Sequence, residues 1–369
     1  MKCTCSKDDL NGALSAVIKA VAVKPSTPVL AGIYLQAAGD SLELQATNFA
    51  ISVVARVPAN VEVEGATVVT GRVLAAVVQK FSGDIVTLTN EKDAATLELR
   101  SEAASFELLS MDAEDFPRIN RETSLHSFRI NKGALIRLIN RTVFACAKDE
   151  GRPVFAGCFI DISGTAITFV ATNTSRIAIA RDVLSDSLDS LQFIVHAATL
   201  RNLLGMLYRA ADAVVTVGFS GSEVTFSFDD IFLTSRIIDG AFPPYDKVIP
   251  STCSTTADLD LRDLRAAVDR MQIIAREAEY QTLRFTFTQD GLELSSNSYT
   301  LGSSVEHLDS NVSGDDIELS LNFNFLIDAL KAFDTEKVSF GMNQPLTPVK
   351  ISPLGADDFT YIITPLRTQ

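Results

Sequence analysis

Residues 172–176 read Thr-Asn-Thr-Ser-Arg, a knot of hydroxyls, an amide and a guanidinium between the apolar runs ITFVA and IAIA. Such a block could activate a nucleophile, hold a ligand or turn the chain. Nucleophilic chemistry at Ser175 needs a base within hydrogen-bond reach. The three histidines, His126, His196 and His307, are far apart in sequence and none stands in a metal-binding spacing. No Gly-x-Ser-x-Gly elbow, P-loop or Gly-x-Gly-x-x-Gly run occurs. The five cysteines (Cys3, Cys5, Cys146, Cys158, Cys253) are odd in number and mostly scattered. Cys3 and Cys5 fall on one face of a strand and cannot readily bridge, so free thiols are expected. Neither catalytic residues, metal nor cofactor is expected.

The elements around the block are repeated. PVLAGIYL at 28–35 returns as PVFAGCFI at 153–160, and ATNFAI at 46–51 returns as ATNTSRI at 171–177, each 125 residues later. EDFPRI (114–119) returns as GAFPPY (240–245), with Phe116 and Phe242 126 residues apart. A fainter third copy, LELSSNSYTLGS, places Asn297 124 residues after Asn173. The Thr-Asn step therefore reads as a strand-end turn present in every copy. Thr174 to Ile177 are peculiar to the second. Repeats at a fixed period divide the chain: 1–125, 126–250 and 251–369, with the Phe-Pro segments closing the first two.

Each copy carries a first helical stretch (8–22, 131–147, 261–277) and a second one (71–81, 197–208, 323–333). Leu135, Leu138, Ile139 and Thr142 fall on one helical face. Alternating strands with Gly-bearing turns, such as AAGDSLELQA and TQDGLELSS, surround them. The expected fold class is α+β: three tandem similar domains, each of two helices packed on antiparallel sheets of about eight strands.

Of the 369 residues, 47 % are hydrophobic and 21 % charged, which suits folded domains rather than disorder. No run of ~18 apolar residues suggests a membrane span, and MKCTCSKDD lacks a secretion signature, so a cytoplasmic location is expected. The net charge of −14 argues against a conventional basic surface over the whole molecule. The distribution of charge says more. Between Asn131 and Lys148 stand Lys132, Arg137, Arg141 and Lys148 with no acid, and 197–211 carries Arg201 and Arg209, again with none. Arg72 and Lys80 mark the stretch 71–81, while acids crowd the strands and loops. Basic helices beneath an acidic exterior could face a polyanion through phosphate contacts that read no sequence. In the third copy Asp260, Asp263 and Asp269 interleave with arginines, which favours ordinary solvated helix faces there.

The segments KPSTPVLAGIYLQ, DAEDFPRI, ATNTSRIAIA, TSRIIDGAFPPYDKVIP and the tail YIITPLR, with their spacing, resemble the bacterial β sliding clamp family end to end. The resemblance implies the DNA clamp fold and a head-to-tail homodimeric ring with helices lining the bore. It implies no catalysis, but processivity: the ring encircles duplex DNA and docks the replicative polymerase, the clamp loader and repair proteins through short peptides. Lys24, Arg72, Lys148 and Arg152 are then DNA-facing, joined by Arg137, Arg141 and Arg201 from the basic helices. Ala198 stands where the family often has lysine, and Pro153-Val154 where paired tyrosines occur. Ring closure matches Phe106 and Leu108 of one chain to Ile273 and Ile274 of the other.

The implied peptide pocket comprises Phe155, Thr172, Thr174, Ser175, Arg176, Ile177, Pro243, Val248, Leu346, Pro348, Ile362, Thr364, Pro365, Leu366 and Arg367. Thr174-Ser175 replaces a Gly-His pair and Thr364 a methionine, so peptide preference is expected to differ. Arg176→Ala should weaken peptide binding with little loss of fold. The alternative function is a non-catalytic repeat scaffold that does not encircle DNA, which predicts a monomer or open array.

Overall fold

The computed structural model describes residues 1–25, 27–91, 95–119, 126–149 and 151–367. Six α-helices order the described chain: α1 (Lys7–Val17), α2 (Gly71–Lys80), α3 (Lys132–Thr142), α4 (Ala197–Leu207), α5 (Leu261–Ala275) and α6 (Phe323–Ala332). All six fall where helical periodicity predicts. The first two expected stretches run long, because α1 and α3 each tighten into a 3₁₀ turn, Ile18–Ala20 and Val143–Ala145. Side-chain caps start three of them. Ser6 accepts from the Asp9 amide, Asp260 from those of Arg262 and Asp263, and Asn322 from that of Phe325. α1 buries Leu10, Ala13, Leu14, Ala16 and Val17, one face at helical spacing. Among the described residues no helix is long and apolar enough to cross a membrane.

The chain folds as two compact units, Met1–Lys132 with Asn202–Ile237, and Gly133–Arg201 with Ile238–Gln369. In the first unit, twelve strands form one antiparallel sheet. Its first strand, Lys2–Ser6, pairs with both Ile85–Thr89 and Ile51–Val63, which closes the first eight strands on themselves. Closure removes edges that would otherwise template aggregation. The same Ile51–Val63 strand also pairs with Ile231–Arg236, so the sheet continues into strands of the second repeat.

In the second unit a seven-stranded sheet runs from Gly157–Thr172 and Arg176–His196 through Phe359–Ile363 to Asn311–Ser313. A four-stranded sheet holds Thr282–Thr288, Gly291–Ser298, Gly302–Leu308 and Ile317–Asn322. Alternation drives the sheets of both units: EVTFSF in the first and TLRFTFT in the second bury every second residue, placing Val224, Phe226 and Phe228, and Leu283, Phe285 and Phe287, in their cores. Each such side chain contributes roughly 1.5–3 kcal/mol.

The phenylalanines of the Phe-Pro segments pack back onto their own repeats. Phe116 is buried against Val29, Leu30 and Val68, with its ring stacked 5.4 Å from Tyr34. Phe242 repeats the contact on Phe159, at 4.9 Å, and meets Phe155 edge-on at 6.2 Å. Leu30 and Tyr34 stand 125 residues before Phe155 and Phe159, so the repeat extends to its aromatic contacts.

Candidate peptide pocket, basic faces and strand edges

The Thr-Asn step is a turn in the first two copies. The Thr172 hydroxyl donates to the Arg176 carbonyl (2.7 Å) and accepts the Thr174 amide (3.0 Å). Asn173 Oδ1 accepts the amides of Ser175 and Arg176 at 3.1 Å. Thr47 and Asn48 make the same bonds to Ile51, Phe49 and Ala50. Both turns place a non-glycine residue at positive φ, Thr174 at 77° and Phe49 at 67°. The third copy differs from the expectation. Asn297 lies within the strand Gly291–Ser298, and the Ser298 hydroxyl makes the turn by accepting the amides of Thr300 and Leu301.

Register brings the tail to this turn. Arg176 pairs with Ile363 and Ile177 with Ile362, while Val349 faces Ile363 from the other side. Past the strand, the Thr364 amide donates to the Ser175 carbonyl (3.0 Å), and the Leu366 amide to Ser320 (2.8 Å). Thr174, Ser175, Thr364 and Arg367 are exposed, and Ile177, Pro348 and Leu366 half-buried. Phe155 and Pro243 gather around Phe242, whose ring meets Phe155. Val248 and Leu346 expose apolar surface, 44% and 50%.

Four of the expected lining residues are instead interior. Thr172, Ile362 and Pro365 are buried, and the Arg176 side chain is 3% exposed. Arg176 Nη1 donates to Asp328 (2.9 Å) and Nη2 to the Phe144 carbonyl (2.5 Å). Its guanidinium carbon lies 4.4 Å from the Phe325 ring centre and 5.5 Å from that of Phe144. Tyr361 packs on Phe144 and donates to the Phe325 carbonyl (2.8 Å), and burial pushes its phenol well above the ordinary range. Arg176 thus braces the turn from behind, which argues against the expectation that its loss spares the fold. Sequence reading missed Asp328, Phe325 and Phe144. Asp328 is the one acid in FNFLIDALKA, a signal that something cationic faces it.

Of the basic candidates, Lys24, Arg72, Lys148 and Arg152 are exposed and make no ion pair with a described residue. Arg137 is exposed but tied to Asp182 at 2.8 Å, and exposed Arg201 donates to the Val143 carbonyl at 3.1 Å. Arg141 contradicts the expectation of a DNA-facing cation. Its side chain is 7% exposed and pairs with Asp358 (2.6 Å) and Asp334 (2.7 Å). Burial would lower its pKa, but the hydrogen bonds to the two carboxylates outweigh this and hold it above the ordinary guanidinium value.

The expected closure residues lie at strand and helix edges. Ala104–Met111 pairs along Thr96–Ser101 but meets Gly65–Thr70 only at Ser110 and Met111. On it Phe106 is 44% exposed, touching Phe81, and Leu108 is half-buried; Leu109, at 79%, was not anticipated. In the other unit Ile273 is 69% exposed and Ile274 half-buried, and Gly302–Leu308 ends the four-stranded sheet with Val305 55% exposed. The thiols are free, and burial pushes Cys3 up to about 11 and Cys5 to about 12.

Three family models match consecutively: the DNA polymerase III beta subunit N-terminal domain over residues 1–120, its central domain over 129–244 and its C-terminal domain over 246–367. A beta sliding clamp of Synechococcus elongatus is 28% identical over 377 residues, covering all of both chains. The crystal structure of the DNA polymerase III beta subunit of Thermotoga maritima superposes with a TM-score of 0.94 at 26% identity over the whole of both chains. A Pseudomonas aeruginosa sliding clamp bound to griselimycin does so with 0.93 at 25%, again over the whole of both. With its three domains accounted for in order and nearly end to end, this chain belongs to the bacterial DNA polymerase III beta subunit family, the beta sliding clamps.

Proposed function

We propose that two copies of this chain close head to tail into a ring around duplex DNA and confer processivity on the replicative polymerase without catalysing a reaction themselves. The observation that carries this reading is the ordered match of three clamp domains over nearly the whole chain. The domain limits we assign are 1–125, 126–250 and 251–369, and the location cytoplasmic. Lys24, Arg72, Lys148 and Arg152 are the cations we assign to DNA, with Arg201 and Arg137 as further candidates. They are long, exposed side chains on a chain of net charge −14, which suits phosphate contact without base readout and leaves the ring free to slide.

The partner pocket we assign to the exposed and half-buried members of the predicted set: Phe155, Thr174, Ser175, Ile177, Pro243, Val248, Leu346, Pro348, Thr364, Leu366 and Arg367. It suits short peptides with apolar anchors from the polymerase, the clamp loader and repair proteins. Two anchors supply roughly 1.5–3 kcal/mol each, whereas micromolar binding needs about 8 kcal/mol. Main-chain hydrogen bonds supply much of the rest, and modest affinity suits exchange of partners.

The test is retention on DNA. After loading by its clamp loader, the protein should stay on a nicked circle and leave once the circle is cut. Equal retention on both forms would overturn the ring and favour the scaffold reading.

A further inference from the structure

Each unit contains a like site built from repeat-equivalent positions, and the second unit's holds a guanidinium, Arg141, where the first unit's has Ala16. In the second unit the Arg181 amide donates to the Asp358 carbonyl (2.8 Å), where Ala180 pairs with Phe359. The Asp358 carboxylate then holds Arg141 of α3, with Asp334 on the other Nη. In the first unit the Arg56 amide donates to the Asp230 carbonyl (3.0 Å), where Ala55 pairs with Ile231. The helices share a register too. Lys7 donates from its amide to Asp84 and from Nζ to Phe81, as Lys132 does to Ala213 and Ala210. Asp230 therefore corresponds to Asp358, and Ala16 of α1, 125 residues before it, to Arg141.

Where the arginine is missing, the first unit has a cavity of about 690 Å³ lined by Ala16, Gly12, Met206, Gly205 and Asp230 among others. The cleft at the corresponding place in the second unit is about 470 Å³ and has Arg141 in its wall. A Cβ added at Gly12 or Gly205 meets nothing within 4 Å, so the cavity is open along both helices. Asp229, beside it, is engaged: its carboxylate accepts the amides of Ala211 (2.9 Å) and Asp212 (2.7 Å). The exposed Asp230 carboxylate accepts no hydrogen bond from, and makes no ion pair with, a described residue; of the lining cations Arg56 pairs with Glu43, and Lys19 and Arg209 leave Asp230 unpaired. Volumes of this size suit small organic ligands, and a guanidinium on a carboxylate is among the stronger charge-assisted pairs.

We propose that this cavity of the first unit binds a small organic cation carrying a guanidinium or amidinium group, seated against Asp230 as Arg141 is seated against Asp358. Its apolar body lies along Ala16 and Met206. The test titrates the full chain with benzamidine and with its neutral isostere benzamide, read by calorimetry and ligand-observed NMR. Benzamidine should bind saturably and benzamide at least about tenfold more weakly, as expected for loss of a charge-assisted pair. Asp230→Asn should lower benzamidine affinity by a similar factor. Gly205→Leu, which projects into the open space from an exposed helical position, should block binding while thermal unfolding stays cooperative. Ala16→Arg, if it folds, should occupy the site from within and likewise abolish binding. Absence of saturable benzamidine binding, equal affinity for benzamide, or affinity unchanged in Asp230→Asn and Gly205→Leu would each overturn the site.

Discussion

The Arg176 guanidinium lies over the Phe325 ring, with Asp328 and the Phe144 carbonyl as its acceptors and its Nε without a partner. Its removal would leave a cavity and strand Asp328, which is itself 39% exposed and so partly solvated. Arg176→Ala should therefore cost about 3 kcal/mol, the lower end for breaking a buried pair, read as a shift in the urea unfolding midpoint. A loss below about 1 kcal/mol, the worth of an exposed pair, would show that the bracing is not structural. Weakened peptide binding in that variant would report the disturbed turn as much as a lost contact. Thr174 tells a complementary story. A β-branched residue at φ 77° is strained, at a cost on the order of 1–3 kcal/mol. Thr174→Gly should relieve that strain and raise stability by about 1 kcal/mol after the entropy cost of glycine. A less stable variant in thermal unfolding would show that the Thr172 and Asn173 bonds hold the turn without strain.

At the scale of elements, the tail strand Phe359–Ile363 is wholly buried, held between Arg176–His196 and Val349–Pro353. The residues after it hang on two backbone bonds, Thr364 to Ser175 and Leu366 to Ser320. Removing Pro365–Gln369 cuts the second bond but spares the strand. The truncated protein should stay folded and keep its oligomeric state, while affinity for a fluorescent partner peptide with apolar anchors falls at least about tenfold, the loss of one buried anchor. Retained affinity in an anisotropy titration would refute the pocket. The helices and the turns of the first two copies were legible beforehand, because 3.6-residue periodicity and Asx-turn chemistry are local. The third turn was not, since Ser298 takes over the role expected of Asn297 and nothing local distinguishes them.

At the scale of the whole molecule, the exposed edges predict assembly. Phe106, Leu109, Ile273 and Val305 expose apolar surface along strands and a helix end, and covering it from water would be favourable. Phe106→Asp and Ile273→Asp should each shift sedimentation from dimer to monomer with the fold intact by circular dichroism. A dimer that survives both substitutions would place ring closure elsewhere. Assembly and folding separate cleanly in this test, because Phe106 and Ile273 are surface residues of their own units.

The amino-acid order alone determined the threefold repeat, the α+β class, the basic helices and the family, because periodic patterning and long similar segments survive without coordinates. It also located the turn at 172–176 and the tail that meets it. Tertiary structure decided which polar groups are free. Arg72 and Arg141 look alike in a helical basic run, yet one is exposed and the other is neutralised by Asp334 and Asp358, about 190 and 220 residues away. Arg176 likewise reads as a pocket wall until Asp328 and two aromatic rings close over it. Burial and ion pairing depend on strand and helix register across long sequence separations, and charge in a linear chain carries no record of the partner that will meet it.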